Sequence, residues 1–116
     1  AYDAVMAAYR LPKETDAGKA ARKASIATAL ERATDVPLRT AVHCLTVLQA
    51  AVDAAADGNP SALSDALTGG ALAWAGLRGA LENVRINTKD DHPARVRGDS
   101  LRAAGTEALR RLGLAE

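Results

Sequence analysis

Leu38, Ala41, Leu45, Leu48, Val52 and Ala55 recur at alternating spacings of three and four residues. That period draws one face of an α-helix and excludes a strand. It predicts a helix from Pro37 to about Asp57, ended by Gly58-Asn59-Pro60, where a glycine stops the helix and a proline restarts the chain. An apolar seam of this length has to be covered by other helices. The composition supplies them: alanine, the best helix former, is the commonest residue and Phe is absent. Alanine buries little area, so the helices must pack closely, and burial against a second copy would help.

Around this seam the sequence reads as an all-α, up-and-down bundle of about five helices forming one domain over residues 1–116. The chain starts without Met, as a fragment or processed product does. Ala1 to Arg10 reads as the end of a helix, broken at Leu11-Pro12 because proline disfavours helix in the residue before it. Thr15 or Asp16 caps a second helix reaching Thr34, with Ile26, Leu30 and Ala33 apolar and Lys19, Arg22 and Lys23 basic. Asp35-Val36 then forms a junction, with Pro37 at the first position of the next helix.

The fourth helix is expected over Ser61 to Thr88. Its glycines, Gly69, Gly70, Gly76 and Gly79, imply either close backbone approach or a break at Gly69-Gly70. Lys89 to His92 make a polar turn, and Pro93 opens a last helix to Leu112 with Val96, Leu101, Ala104, Ala108 and Leu112 facing inward.

A formal net charge of +1 and only two Tyr and one Trp argue against nucleic-acid binding by charge or by base stacking. One Cys allows no internal disulfide and suits the cytoplasm. No signal peptide is visible, and no stretch is apolar and long enough to span a bilayer.

The polar residues then have to be sorted. His43 and Cys44 are adjacent on a helix and point about 100° apart, so they read as a surface histidine and a packed thiol rather than a dyad. Asp90-Asp91-His92 is a poor metal cage, and reads as an acidic cap for the last helix. Arg78, Glu82 and Arg85 have the spacing of a surface ion-pair ladder. Ser64-Asp65 suits a helix N-terminus, where its charge complements the dipole, or a site carboxylate. Asn83-Val84-Arg85-Ile86-Asn87 is harder to assign to solvent. Asn83 and Asn87 share one face at the end of a helix expected to be central, and amides near a packed surface need partners.

Leu11-Pro12-Lys13, Asp35-Val36-Pro37-Leu38, Gly58-Asn59-Pro60, Ser64-Asp65 and Asn83-Val84-Arg85-Ile86-Asn87 occur in this order. Together they resemble the C-terminal half of the cyclodeaminase domain of the formiminotransferase-cyclodeaminase family, over almost the whole chain and more weakly after His92. The resemblance implies a helical homodimer acting on a tetrahydrofolate derivative as substrate, with no other cofactor and no metal. The implied reaction closes 5-formiminotetrahydrofolate to 5,10-methenyltetrahydrofolate with loss of ammonia; hydrolysis of the methenyl bridge is the related possibility. Both need proton transfer at nitrogen and pass a cationic amidine-like centre, which a carboxylate serves as base and counter-charge. On this reading Asp65 is catalytic, Asn83, Arg85 and Asn87 bind substrate, and Lys13 meets an anionic tail. The competing reading is a non-catalytic helical dimer or interaction module, in which the same groups are interhelical hydrogen bonds.

The chain also departs from the family pattern. The family's Ser-Pro-Gly-Gly-Gly-type stretch is not found here, and the acid regarded as catalytic in relatives is expected just before Ala1, a role Asp3 is not expected to take over. Thr88 stands where an apolar residue is common. Asp65 and Asn83 are 18 positions apart, about 27 Å along one straight helix. A break at Gly69-Gly70, a structural role for one motif, or a site shared between two subunits would resolve the distance, and the shared site is the expectation.

Overall fold

Four α-helices make up the computed structural model, which describes residues 1–115: α1 (Tyr2–Tyr9), α2 (Asp16–Asp57), α3 (Leu63–Ile86) and α4 (Pro93–Arg111), with a 3₁₀ turn at Pro60–Ala62. There is no strand among the described residues. The all-α expectation holds, with one fewer helix than expected. The second and third predicted helices are a single helix of 42 residues that runs through Asp35-Val36-Pro37.

An interior proline removes one ladder hydrogen bond and crowds the carbonyl four residues back. Here that carbonyl, Ala33 O, accepts a hydrogen bond from the Asn87 side chain at 3.1 Å. The penalty is met by a tertiary contact, and the helix continues.

The ends of the elements follow local chemistry. Thr15 Oγ1 accepts from the Gly18 N–H at 2.9 Å, capping α2. Asn59 Oδ1 accepts from Ser61 N–H and heads the short turn before α3. The expected acidic cap of α4 is instead His92, whose Nδ1 accepts from Ala94 N–H at 3.0 Å, with Pro93 following at the first helical position. Asp90 pairs with Arg95. Helix α4 closes with Gly113 at φ +75°, as Gly113 N–H donates to Arg110 O and Leu114 N–H to Leu109 O. This left-handed closure satisfies two terminal carbonyls.

Helices α2, α3 and α4 pack together, while α1 lies along the N-terminal half of α2. The core forms two adjoining groups. Ala41, Leu45, Leu77, Ala80, Leu81 and Leu101 make one; Leu48, Ala51, Ala73, Ala108, Leu109 and Leu112 make the other, and Trp74 packs against both. Cys44 packs beside the first group, and His43 is exposed. The glycines split in role. A Cβ on Gly70 would stand 2.5 Å from Leu112 Cδ1, and one on Gly76 would stand 2.9 Å from Cys44 Sγ, whereas Gly69 and Gly79 face open space. Helix α3 does not break at Gly69-Gly70.

Val96 is 57 % exposed, against the inward position expected for it. The inward stripe of α4 is Ala94, Gly98, Leu101, Gly105, Ala108 and Leu109, continued by Leu112 at its C-cap, and its glycines let Leu81 and Trp74 approach. Val96, two positions after Ala94, lies about 200° around the helix, on the face turned away from that stripe. The molecule is elongated, 66 × 25 × 16 Å. Its radius of gyration is 18.8 Å, against about 13 Å for a compact domain of this length. The long α2 accounts for this, because α3 covers only its C-terminal part.

Candidate functional site

The end of α3 reaches α2 near Pro37, and α1 lies close by. The three helices enclose a groove of about 680 Å³. Its α3 side carries Gly76, Gly79, Ala80, Asn83, Ile86 and Asn87. Its α2 side carries Leu30, Ala33, Val36, Pro37 and Thr40, and α1 adds Ala1, Tyr2 and Val5. The volume lies in the range of small-molecule sites. The lining is mainly apolar, with the Asn83 and Asn87 amides at one end and no side-chain carboxylate, amine or guanidinium. Thr40, also in the lining, donates its Oγ1 hydrogen to Val36 O in its own helix.

Two of the sequence-predicted site residues therefore meet. Asn83 is exposed on the groove wall, one turn before Asn87. Asn87 is half-buried, and one of its two amide hydrogens is committed to Ala33 O. The other three candidates lie elsewhere. Asp65 is exposed in the first turn of α3. Because α3 is unbroken, Asp65 stands about 27 Å along the helix from Asn83. Lys13 is exposed in the turn between α1 and α2. The Arg85 side chain is exposed and does not line the groove. The ladder expected of Arg78, Glu82 and Arg85 is absent, since none of the three joins an ion pair found among the described residues.

The backbone around Arg85 has a different role. Arg95, from α4, donates through Nη2 to Arg85 O at 2.6 Å and to Thr88 O at 2.9 Å, and through Nε to Thr88 Oγ1 at 3.4 Å. It also pairs with Asp90. This guanidinium adds charge-assisted hydrogen bonds to carbonyls at the end of α3, and so fixes the segment that carries Asn87. It also explains Thr88, whose hydroxyl donates to Val84 O and accepts from Arg95.

Sequence reasoning missed the α1 contribution and the α2 wall. The available signal was Gly69, Leu72, Gly76, Gly79, Asn83 and Ile86, which repeat at spacings of three and four on a face of α3 about 120° from its buried stripe. Leu72 is 69 % exposed and Ile86 77 %. No cluster of three or more His, Cys, Asp or Glu side chains able to hold a metal occurs among the described residues. No helix among them is long and apolar enough to cross a membrane.

The chain is similar to a methenyltetrahydrofolate cyclohydrolase of Methylorubrum extorquens, with 51 % identity over 89 residues, 77 % of this chain and 43 % of that protein. It is also similar to a formimidoyltransferase-cyclodeaminase of Sus scrofa, with 34 % identity over 90 residues, 78 % of this chain and 17 % of that protein. It spans less than half the length of either relative. A model of the formiminotransferase-cyclodeaminase family matches residues 1–101, which include both core groups up to Leu101 and the whole lining of the groove. The chain belongs to the formiminotransferase-cyclodeaminase family.

Proposed function

We propose that this chain is part of an enzyme of folate-dependent one-carbon metabolism, forming one wall of a site for a tetrahydrofolate derivative, which is the substrate and the only small molecule required. The carrying observation is the groove with the Asn83 and Asn87 amides at one end. The Asn83 amide offers a paired donor and acceptor to the edge of a pterin, Asn87 holds the wall beside it, and the apolar lining suits the ring faces. The names of the two relatives support the substrate class. The reaction is cyclodeamination of the 5-formimino derivative or hydrolysis of the methenyl bridge. The higher identity to the cyclohydrolase supports assaying hydrolysis first.

Either reaction needs a carboxylate near the cationic carbon. None lines the groove, so it comes from outside this set of residues. Ala1 is part of the lining, and an acid just before it, where the resemblance puts one in relatives, would open onto the same space. Asp65 would reach the groove only from a second copy, in a homodimer paired through the exposed face of α3. Lys13 and Arg85 are exposed outside the groove lining and would meet the anionic tail of the substrate only where it extends beyond the groove. The single half-buried Cys44, a free thiol, is in keeping with the cytoplasm.

Calorimetric titration with folinate tests the reading. Saturable heat and a rise in melting temperature are expected; no heat together with no thermal shift would sink the enzyme reading and leave a helical interaction module. Ammonia release measured against loss of methenyl absorbance distinguishes the two reactions.

A further inference from the structure

We infer that Asn87 is a positioning residue: its carboxamide supplies the hydrogen bond that Pro37 deletes from α2, and so holds the α2 wall of the groove against α3. In an α-helix the N–H of residue 37 would bond the carbonyl of Ala33. Proline has no N–H to give. Asn87 Nδ2 donates to that carbonyl at 3.1 Å, from 54 positions along the chain. It is the one side-chain hydrogen bond between α2 and α3 among the described residues.

The partners differ in kind from those around them. Thr34 and Thr40 also bond carbonyls of α2, but within their own helix and at carbonyls four residues back. Their bonds do not fix one helix against another. Asn87 sits at the C-terminal cap of α3, where Arg95 already holds the neighbouring carbonyls. The donor is therefore carried on a braced segment, and the acceptor is the one carbonyl of α2 that the proline frees. Ala33, Pro37 and Asn87 all line the groove, with Asn83 one turn away. The bond thus sets the distance across the end where the amides lie. The pairing also accounts for Pro37 inside a 42-residue helix: without Asn87, the half-buried Ala33 carbonyl would have no partner from either helix.

The effect on ligand binding rests on the folate reading, whereas the latch itself does not, and the test separates the two. Asn87→Ala and Asn87→Asp are made alone and together with Pro37→Ala, which returns an N–H to α2. Asp keeps the shape of Asn but has no hydrogen to donate to a carbonyl. In the native background both Asn87 substitutions are expected to lower the melting temperature by about 5 °C. They are also expected to weaken folinate binding about tenfold. With Pro37→Ala present, Asn87→Ala is expected to move the melting temperature by less than about 1 °C and folinate affinity by less than about twofold.

Equal thermal losses in the two backgrounds would overturn the latch. A folinate loss that persists undiminished with Pro37→Ala, while the thermal loss disappears, would overturn the positioning role and make Asn87 a direct ligand contact. If Asn87→Ala alone does not fold, recovery of folding in the double variant supports the latch and continued unfolding overturns it. If the native chain gives no folinate response, the folate reading falls, and the thermal cycle decides the latch by the same criterion.

Discussion

Gly105 and Gly79 differ in what a methyl group would meet. A Cβ on Gly105 would lie 2.8 Å from Trp74 Cζ3 and 3.3 Å from Leu77 Cδ1, in the middle of the contact between α3 and α4. Gly105→Ala is expected to destabilise the chain by about 1–3 kcal/mol, because a ring packed against two core groups has little room to move. A Cβ on Gly79 would meet nothing within 4 Å. Gly79→Ala is expected to raise unfolding stability in dilute solution by about 0.5–1 kcal/mol, the gain of alanine over glycine in a helix. Urea denaturation of both variants checks the contrast. If the two substitutions move stability in the same direction, the assignment of Gly105 to a packed interface and of Gly79 to a position with room for a methyl group is wrong. The four glycines of α3 look alike in the sequence. Which of them were packed and which open was not legible there, because it depends on where Leu112 and Cys44 fall.

At the scale of elements, the long apolar seam was readable, and so were the Thr15 cap, the break at Leu11-Pro12 and the turn at Gly58-Asn59-Pro60. The continuity of α2 was not. Local rules put a boundary at Pro37, and a contact from Asn87 far along the chain overrides it. Val96 misled for a related reason: counting only large apolar residues as inward skips Gly98 and Gly105, which mark the true stripe of α4. In the site, periodicity paired Asn83 with Asn87 correctly. The groove they share needs α1 and α2 as well, and short-range patterns do not report such contacts.

Arg95 gives a prediction at the same scale. Its side chain is only 18 % exposed and ties α4 to the end of α3. Arg95→Met is expected to cost about 2–3 kcal/mol, as charge-assisted hydrogen bonds to carbonyls are lost. Arg95→Lys should recover only part of this, since one ammonium does not reproduce the planar fork. Thermal unfolding decides it: a variant as stable as the native chain would show that the end of α3 needs no clamp. On the outer face of α4, hydrogen bonds and charge from Arg110, then Arg111, hold the Glu107 carboxyl down from 4.5 to about 2. A lowered folded-state value contributes stability above the unfolded value of 4.5, and that contribution is lost as pH falls through about 2. The pair is exposed and screened by salt, so the effect is small. The stability gap between native chain and Glu107→Gln should be positive at pH 6 and vanish toward pH 2.

At the scale of the molecule, an α2 helix longer than its neighbours and an exposed seam on α3, whose C-terminal half also lines the groove, bear on the proposed homodimer. The exposed seam of α3 runs Asp65, Gly69, Leu72, Gly76, Gly79, Asn83, Ile86. Two such helices packed antiparallel about a two-fold axis between Leu72 and Gly76 would set each Leu72 against the partner's Gly76. Gly69 would face Gly79, and Asp65 would face Asn83. Leucine against glycine lets helix axes approach to about 8 Å, and a two-fold pairing repeats every contact. This arrangement brings a carboxylate to the amides from which it is about 27 Å away within one chain. Three measurements test it together. Leu72→Lys should convert a dimer to a monomer in light scattering and abolish turnover. Asp65→Asn and Asn83→Ala should each be inactive alone. Mixed, they form heterodimers in half of the pairs, each with one intact site, so activity should return to about one quarter of the native value. Asp65→Asn with native turnover, or a mixture with no recovery from variants that do dimerise, would remove Asp65 from the site.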